Sequence, residues 1–421
     1  MTKNNKKSRV YFKTFGCRTN MFDSQVMMNK LDNFEITNDE NNADVIVINS
    51  CTVTNNADTT VRSYVNHINN NTKAKIFLTG CGAHTKGEDL FKDEKVFGVF
   101  GQSEKQKIDK LLQSDTAFYE LGDLKFVDKS IIGEFIGKSR AFIKIQEGCN
   151  FRCNYCIIPF VRGDARSMDE ERILQQVSKL SSNGFGEFIL TGTNVGSYGT
   201  GSNTNIARLM KRMSQIRGVR RIRIGSLEPI QINDEFKEIL DEPWLERHLH
   251  IALQHTSQKM LKIMNRRNHF KQDMELFELL RDKNFALGTD FIVGHPGESE
   301  EIWNEAVSNL KLLPLTHLHA FSYSKRDKTV SATMKDTISG DVAKKRLHQI
   351  TNIVEHKNYQ FRLKHNKNLD ILVEHKTKNG LYSGLDQYFN KITIQSNEDL
   401  SGNWITCNDC IVKDKYNYVQ I

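Results

Sequence analysis

The chain is predicted to be an α/β protein of three parts. These are an open parallel α/β domain (8–118), a partial (βα)6 barrel (135–363) reached through a connecting segment (119–134), and a small β module (364–421). Three observations predict this. Early apolar runs alternate with helical stretches, a strand–loop–helix rhythm repeats six times after about residue 140, and the final part turns to short runs between Asn-Gly and Ser-Gly turns. A length of 421 residues needs two or three domains, and 38% hydrophobic with 26% charged residues is enough to build real cores.

In the first part, Val10-Tyr11-Phe12 leads to Cys17, Val45-Ile46-Val47-Ile48 leads to Cys51, and Ile76-Phe77-Leu78 leads to Cys81. Helical material at 22–31 and 57–69 separates these runs, so the strands are expected to be parallel. Each cysteine then lies just past the carboxyl end of its strand. Neighbouring strands are about 5 Å apart, and open α/β sheets collect ligands at that edge. Three cysteines distant in sequence are thereby brought together.

The barrel strands are expected at 141–146, 187–190, 221–226, 250–253, 290–294 and 318–324, with helices at 169–182, 206–216, 271–283 and 300–312. Pro159, Pro229 and Pro296 each close a turn after a strand or its loop. Functional loops of such a barrel lie at the strands' carboxyl ends, and the first of them carries Cys149, Cys153 and Cys156. A long helix at 339–363 precedes the last module, whose strands are expected at 370–374, 391–395 and 411–413. The connecting segment has room for a short hairpin.

No signal-like or membrane-spanning apolar run occurs, which suggests a cytoplasmic protein without a membrane partner. In that compartment clustered thiols point to metal or catalysis rather than disulfides. Two sets of three cysteines, C-x3-C-x2-C and the strand-tip set, each fall one ligand short of the four thiolates of an ordinary cubane cluster. Structural zinc is the other reading for the compact set, but it wants four local Cys or His ligands, and no histidine lies close by in sequence. Buried, inert cysteines are the other reading for the dispersed set. Net charge +8 is compatible with a nucleic-acid partner and decides little. Gly192 opens a loop where backbone can approach a ligand closely, or a plain turn. Glu228 and Gln254 sit at strand ends on the functional face, with a cofactor-binding or a structural role. Arg221 and Arg223 share one strand face and either reach substrate or pair with carboxylates. Cys407 and Cys410 read as incidental.

The run Glu147-Gly148-Cys149-Asn150-Phe151-Arg152-Cys153-Asn154-Tyr155-Cys156-Ile157-Ile158-Pro159, followed by Arg162-Gly163, resembles the radical S-adenosylmethionine signature of the methylthiotransferases. Similar matches are Gly16-Cys17-Arg18-Thr19-Asn20, Asn49-Ser50-Cys51-Thr52-Val53-Thr54, Thr79-Gly80-Cys81, Thr191–Gly199, Ser226-Leu227-Glu228-Pro229 and Thr289–Gly294, so the resemblance spans about 8–335. It implies two [4Fe–4S] clusters and S-adenosylmethionine. Cys149, Cys153 and Cys156 would hold the radical-generating cluster; Cys17, Cys51 and Cys81 would hold an auxiliary one carrying the sulfur to be transferred. Gly192, Glu228 and Gln254 would contact S-adenosylmethionine. The implied partners are a tRNA substrate, a low-potential electron donor and a sulfur donor.

Residues 16–20 and 51–54 look most like the branch that methylthiolates threonylcarbamoyladenosine beside the tRNA anticodon. The isopentenyladenosine and ribosomal-protein aspartate branches are the alternatives, and a two-cluster electron-transfer protein is the alternative of another class. The chain departs from the family's usual residues at His255 and His295, either of which adjusts a site contact or is a satisfied polar residue. The last module faintly resembles a small RNA-binding barrel (TRAM-like). Its near-neutral charge is poor for gripping phosphates, and Tyr382, Tyr388 and Phe389 would either stack bases or fill its core.

Overall fold

The computed structural model describes residues 7–135 and 137–421. The first sheet has six parallel strands, in spatial order Phe34–Ile36, Ser8–Thr14, Val45–Ser50, Lys75–Gly80, Gly98–Phe100 and Phe118–Glu120. Val45–Ser50 is buried along its whole length, as a strand covered on both faces must be. Strand order reverses beside Ser8–Thr14, creating the switch point at which such sheets open a crevice. Thr14, Asn49 and Thr79 stand side by side in register, so the chain segments leading to Cys17, Cys51 and Cys81 leave the sheet at one edge.

The first helix spans Arg18–Met28 rather than 22–31 and begins directly after Cys17. Its buried side chains include Thr19, Asn20, Asp23 and Ser24. Wedged between sheet and barrel, it has no solvent face to mark its start by polarity. Phe22 and Val26 join the barrel's own apolar core. The second helix, Asn55–Asn71, is capped by Thr54, whose hydroxyl accepts from the Ala57 N–H.

The barrel strands are Ala141–Lys144, Glu187–Thr191, Arg221–Ile224, His248–His250, Ala286–Val293 and His317–Ser322. They run parallel in chain order as two three-stranded ladders, linked by the parallel bridges Ile222 to Leu245 and Leu227 to Ile251. The fourth strand ends before 253, because the Leu253 N–H turns back to the Ile251 carbonyl at 2.9 Å and Gln254 takes φ +66°. The fifth begins at Ala286, four residues ahead of 290. Helices Glu170–Ser182, Glu300–Leu312 and Gly340–Lys364 start at side-chain caps Asp169, Ser299 and Ser339.

The connecting segment holds no hairpin: Phe118–Glu120 pairs in parallel with Gly98–Phe100, and Ile132 and Phe135 are buried in the barrel core. The last module is a curled six-stranded sheet, ordered Trp404–Asp409, Lys367–Lys376, Tyr382–Leu385, Lys391–Gln395, Asn417–Gln420 and Ile411–Val412. Three of these strands are additional to the three expected; they are short and interrupted by Gly, Asn or polar residues, and neighbouring strands complete them. The module docks on the barrel where Arg221 donates to the Asp370 carbonyl at 2.9 Å and Arg223 to that of Asp386 at 2.6 Å. Cys407 and Cys410 lie in its apolar core. Among the described residues, no helix is long and apolar enough to cross a membrane.

Candidate active site

The strand-tip cysteines are set by backbone that only glycine allows. Gly16 has φ +102°, and a Cβ there would lie 2.7 Å from the Cys51 Cβ. Gly80, at φ +89°, presses against the Ser50 carbonyl. Asn20 and Asn49 brace the first two loops: the Asn20 amide donates to the Phe15 and Ser50 carbonyls at 2.9 and 3.0 Å, and that of Asn49 to the Asn20 carbonyl at 2.8 Å. The Ser50 hydroxyl ties in the third by donating to the Thr79 carbonyl at 2.6 Å. Cys51 and Cys81 are buried, while Cys17 is exposed. Burial pushes the Cys51 thiol up to about 11.

The compact set sits in the loop after the first barrel strand. Gly148, at φ +73°, lets the backbone meet the Asp164 carbonyl, and the Cys149 N–H donates to the Gly163 carbonyl at 3.1 Å. The Asn194 amide lies 3.6 Å from the Cys149 sulfur and the Arg266 guanidinium 3.7 Å from that of Cys153. Burial pushes the Cys156 thiol up to about 12. Each set presents soft sulfur donors beside a buried guanidinium, a donor set that fits an iron–sulfur group with net negative charge.

Arg162 links the two sets. It lies a short helix beyond Cys156, is fully buried, and donates from Nε to the Cys81 sulfur at 3.1 Å. Its other nitrogens reach Asp23, Glu147 and Asn20. Cys81, Ile157 and Val161 form one apolar cluster, so the strand-tip set adjoins the residue that follows Cys156.

The other site residues named from sequence have distinct surroundings. Gly192 faces the Gln146 backbone, where a Cβ would lie 2.7 Å from the carbonyl oxygen. Glu228 pairs with Arg266, which donates at 2.9 Å to one carboxylate oxygen and contacts the other. Gln254 anchors its backbone N–H to the Asp290 carbonyl at 2.9 Å. Arg221 and Arg223 both bond Glu187, at 2.6 and 2.8 Å, so pairing with carboxylate is what they do. His255 and His295 are satisfied polar residues: the first accepts from the Ser257 N–H and faces Glu298, the second lies between the Pro296 carbonyl and the Ser331 hydroxyl. Tyr382 is core, Tyr388 packs half-buried against that core, and the half-buried Phe389 stacks on His248 at 5.0 Å.

Arg266 and Asp23 have no sequence signal that singles them out for these contacts, and Asn20, although it stands in the 16–20 run, shows its bracing role only on folding. Arg162 stands in the signature run, but its reach to Cys81 appears only on folding.

Residues 9–101 match the uncharacterized protein family UPF0004, and 143–310 match the radical SAM superfamily. A putative methylthiotransferase of Helicobacter pylori (strain J99) is 54% identical over 97% of this chain and 99% of its own length. The threonylcarbamoyladenosine tRNA methylthiotransferase MtaB of Aquifex aeolicus is 33% identical over 84% of this chain and 89% of its own. A tRNA-2-methylthio-N(6)-dimethylallyladenosine synthase of Fervidobacterium nodosum is 30% identical over 94% of both. In fold, the chain is similar to the radical S-adenosylmethionine methyltransferase TsrM of Kitasatospora setae, with TM-score 0.60 and 13% identity over 78% of this chain and 77% of that one.

Proposed function

We propose that this chain, which belongs to the radical-SAM methylthiotransferase family near the MtaB branch, converts threonylcarbamoyladenosine beside the tRNA anticodon to its 2-methylthio derivative. Cys149, Cys153 and Cys156 hold the [4Fe–4S] cluster that the radical SAM superfamily uses with S-adenosylmethionine, and Cys17, Cys51 and Cys81 hold a second one for the transferred sulfur. Bound at the Cys149, Cys153 and Cys156 thiols, such a cluster would supply the electron for reductive cleavage of S-adenosylmethionine.

The chain's own residues do the positioning. Arg162 offsets thiolate charge at Cys81 and fixes the loop after Cys156 against the strand tips. Arg266 does the same beside Cys153 and orients the Glu228 carboxylate. Gly192, Glu228 and Gln254 line the side where S-adenosylmethionine binds. A low-potential electron donor and a sulfur donor come from outside the chain.

The observation that carries this reading is the junction of the two cysteine sets through Arg162 within one packed unit. An electron-transfer role does not call for an open ligand position at both sets. The threonylcarbamoyl branch is supported by residues 16–20 and 51–54 and by MtaB relatives at 32–33% identity. The dimethylallyladenosine branch is the second reading, favoured by relatives at 30–31% identity over almost the whole chain. Mass spectrometry of tRNA nucleosides from cells with and without the gene tests both. Loss of methylthio-threonylcarbamoyladenosine supports the proposal, and loss of the methylthio-dimethylallyl nucleoside moves the assignment to the second reading.

A further inference from the structure

Three adjacent barrel strands place two histidines and an aspartate on one face. His250 stands on the fourth strand, Asp290 on the fifth and His319 on the sixth, with Asp290 paired in register to His319. The alternate residues Leu249 and Leu287 point into the apolar core beneath the helices. By the two-residue period of a strand, the histidines and aspartate therefore face the barrel lumen. Gly288, on the fifth strand and in register with His250, makes the room: a Cβ there would lie 2.8 Å from His250 Nδ1.

The ligand-type atoms of the three side chains all lie within 4.8 Å of one another. His250 Nε2 is 3.1 Å and His319 Nδ1 3.7 Å from the same oxygen, Asp290 Oδ1. His250 is more than nine-tenths buried, yet its Nε2 has no partner of hydrogen-bond geometry. The buried ring nitrogen is thus compensated by the Asp290 carboxylate 3.1 Å away rather than by a well-aligned hydrogen bond. Two ligands each about 2.1 Å from one ion, at angles between octahedral and tetrahedral, are themselves about 3.0–3.4 Å apart. The 3.1 Å separation falls in that window and the 3.7 Å one just outside it, within reach of a rotation of the exposed His319 ring.

We propose that His250, Asp290 and His319 form a binding site for a divalent first-row cation, separate from both cysteine sets. Two imidazoles and one carboxylate leave the remaining coordination positions open. Those positions face the lumen, where water or an oxygen donor of a molecule entering the barrel completes the shell. His319 stands on the edge strand with its side chain 59% exposed, which supplies the entry path. The Asp290 carbonyl holds the Gln254 N–H, so the site lies directly behind the candidate cofactor-contacting strand end.

Manganese(II) is the probe. The cluster-loaded protein, with its clusters in the oxidised, EPR-silent state, is titrated with Mn2+, and the six-line signal of free Mn2+ is followed. The expected result is uptake of about one Mn2+ per chain, weakened roughly tenfold or more in His319→Ala and in Asp290→Asn, with cluster absorbance unchanged in both variants. His319→Ala alters an exposed side chain, so it reports binding even where Asp290→Asn disturbs folding. No uptake at millimolar Mn2+, or uptake equal in wild type and His319→Ala, overturns the site and leaves an ordinary Asp–His cluster. Because the readout is metal uptake, neither outcome depends on which nucleoside the enzyme modifies.

Discussion

Asp23→Asn probes the ion cluster that holds the two cysteine-bearing parts together. Asp23 is fully buried in the first helix and meets Lys105 at 2.6 Å, Lys144 at 2.7 Å and Arg162 at 3.0 Å. Asp128 contacts both lysines, and Glu147 contacts Lys144 and Arg162. The three cations, with Arg166 at the rim 3.3 Å from Glu147, thus face three carboxylates drawn from the first domain, the connecting segment and the barrel. Asparagine keeps the shape but leaves one buried positive charge uncompensated, a change that costs about 3–5 kcal/mol. At the middle of that range the folding equilibrium shifts by about a thousandfold.

The pH dependence gives the sign. Burial alone would raise the Asp23 carboxyl, but Lys105, Lys144 and Arg162 outweigh it and hold the group well below the ordinary carboxylate range. A depressed folded value stabilises above the unfolded value of about 3.9, and that stabilisation is lost as pH falls below it. Anaerobic urea denaturation, followed by circular dichroism, is therefore expected to separate wild type from Asp23→Asn at pH 7, with the gap closing below about pH 4. A variant within about 1 kcal/mol of wild type at neutral pH, or a gap unchanged in acid, refutes the reasoning.

Three further outcomes follow from other contacts. Gly16→Ala forces a Cβ onto Cys51 at a φ that L-residues avoid, so iron bound after anaerobic reconstitution is expected to fall by about half, since only the strand-tip set is affected. Arg326→Ala removes a buried guanidinium that donates to the Thr52 carbonyl at 2.9 Å and to Asp58 at 2.6 Å; a loss of about 3 kcal/mol and faster proteolysis near Thr52–Asn55 are expected, read by limited digestion. Asp273 is raised to about 6 by burial, which outweighs the bond from Asn268. A raised carboxyl favours the folded state in acid and costs stability as pH climbs from about 4 to 6. Asp273→Asn should then exceed wild type by about 3 kcal/mol above that window and match it near pH 4, as thermal midpoints will record.

Much of the architecture was legible in the chain. Continuous apolar runs such as Val45–Ile48 declare buried parallel strands, and Ser299 or Ser339 ahead of an amphipathic stretch marks a helix start within a residue. The helix Arg18–Met28 was misplaced because both of its faces are buried, several positions by polar side chains whose partners lie elsewhere in the sequence. The strands Tyr382–Leu385, Trp404–Asp409 and Asn417–Gln420 were missed because short, mixed runs become strands only when neighbours supply their hydrogen bonds. The candidate site divides the same way. Cysteine spacing announced six thiols, but nothing local marked Arg266, Asp23 or the group His250, Asp290 and His319.

Composition, periodicity and cysteine spacing by themselves determined the βα order of the chain and the presence of two incomplete thiol sets, because local pattern dictates strands, helices and the loops between them. Only the tertiary structure decided that these sets adjoin, that Arg162 and a buried charge cluster join them, and that Arg221 and Arg223 pair with Glu187. Such contacts couple residues 34 positions apart, as in Arg221 and Glu187, and up to 139, as in Arg162 and Asp23. Their energies arise from desolvation and close charge pairing, which exist once the chain has packed.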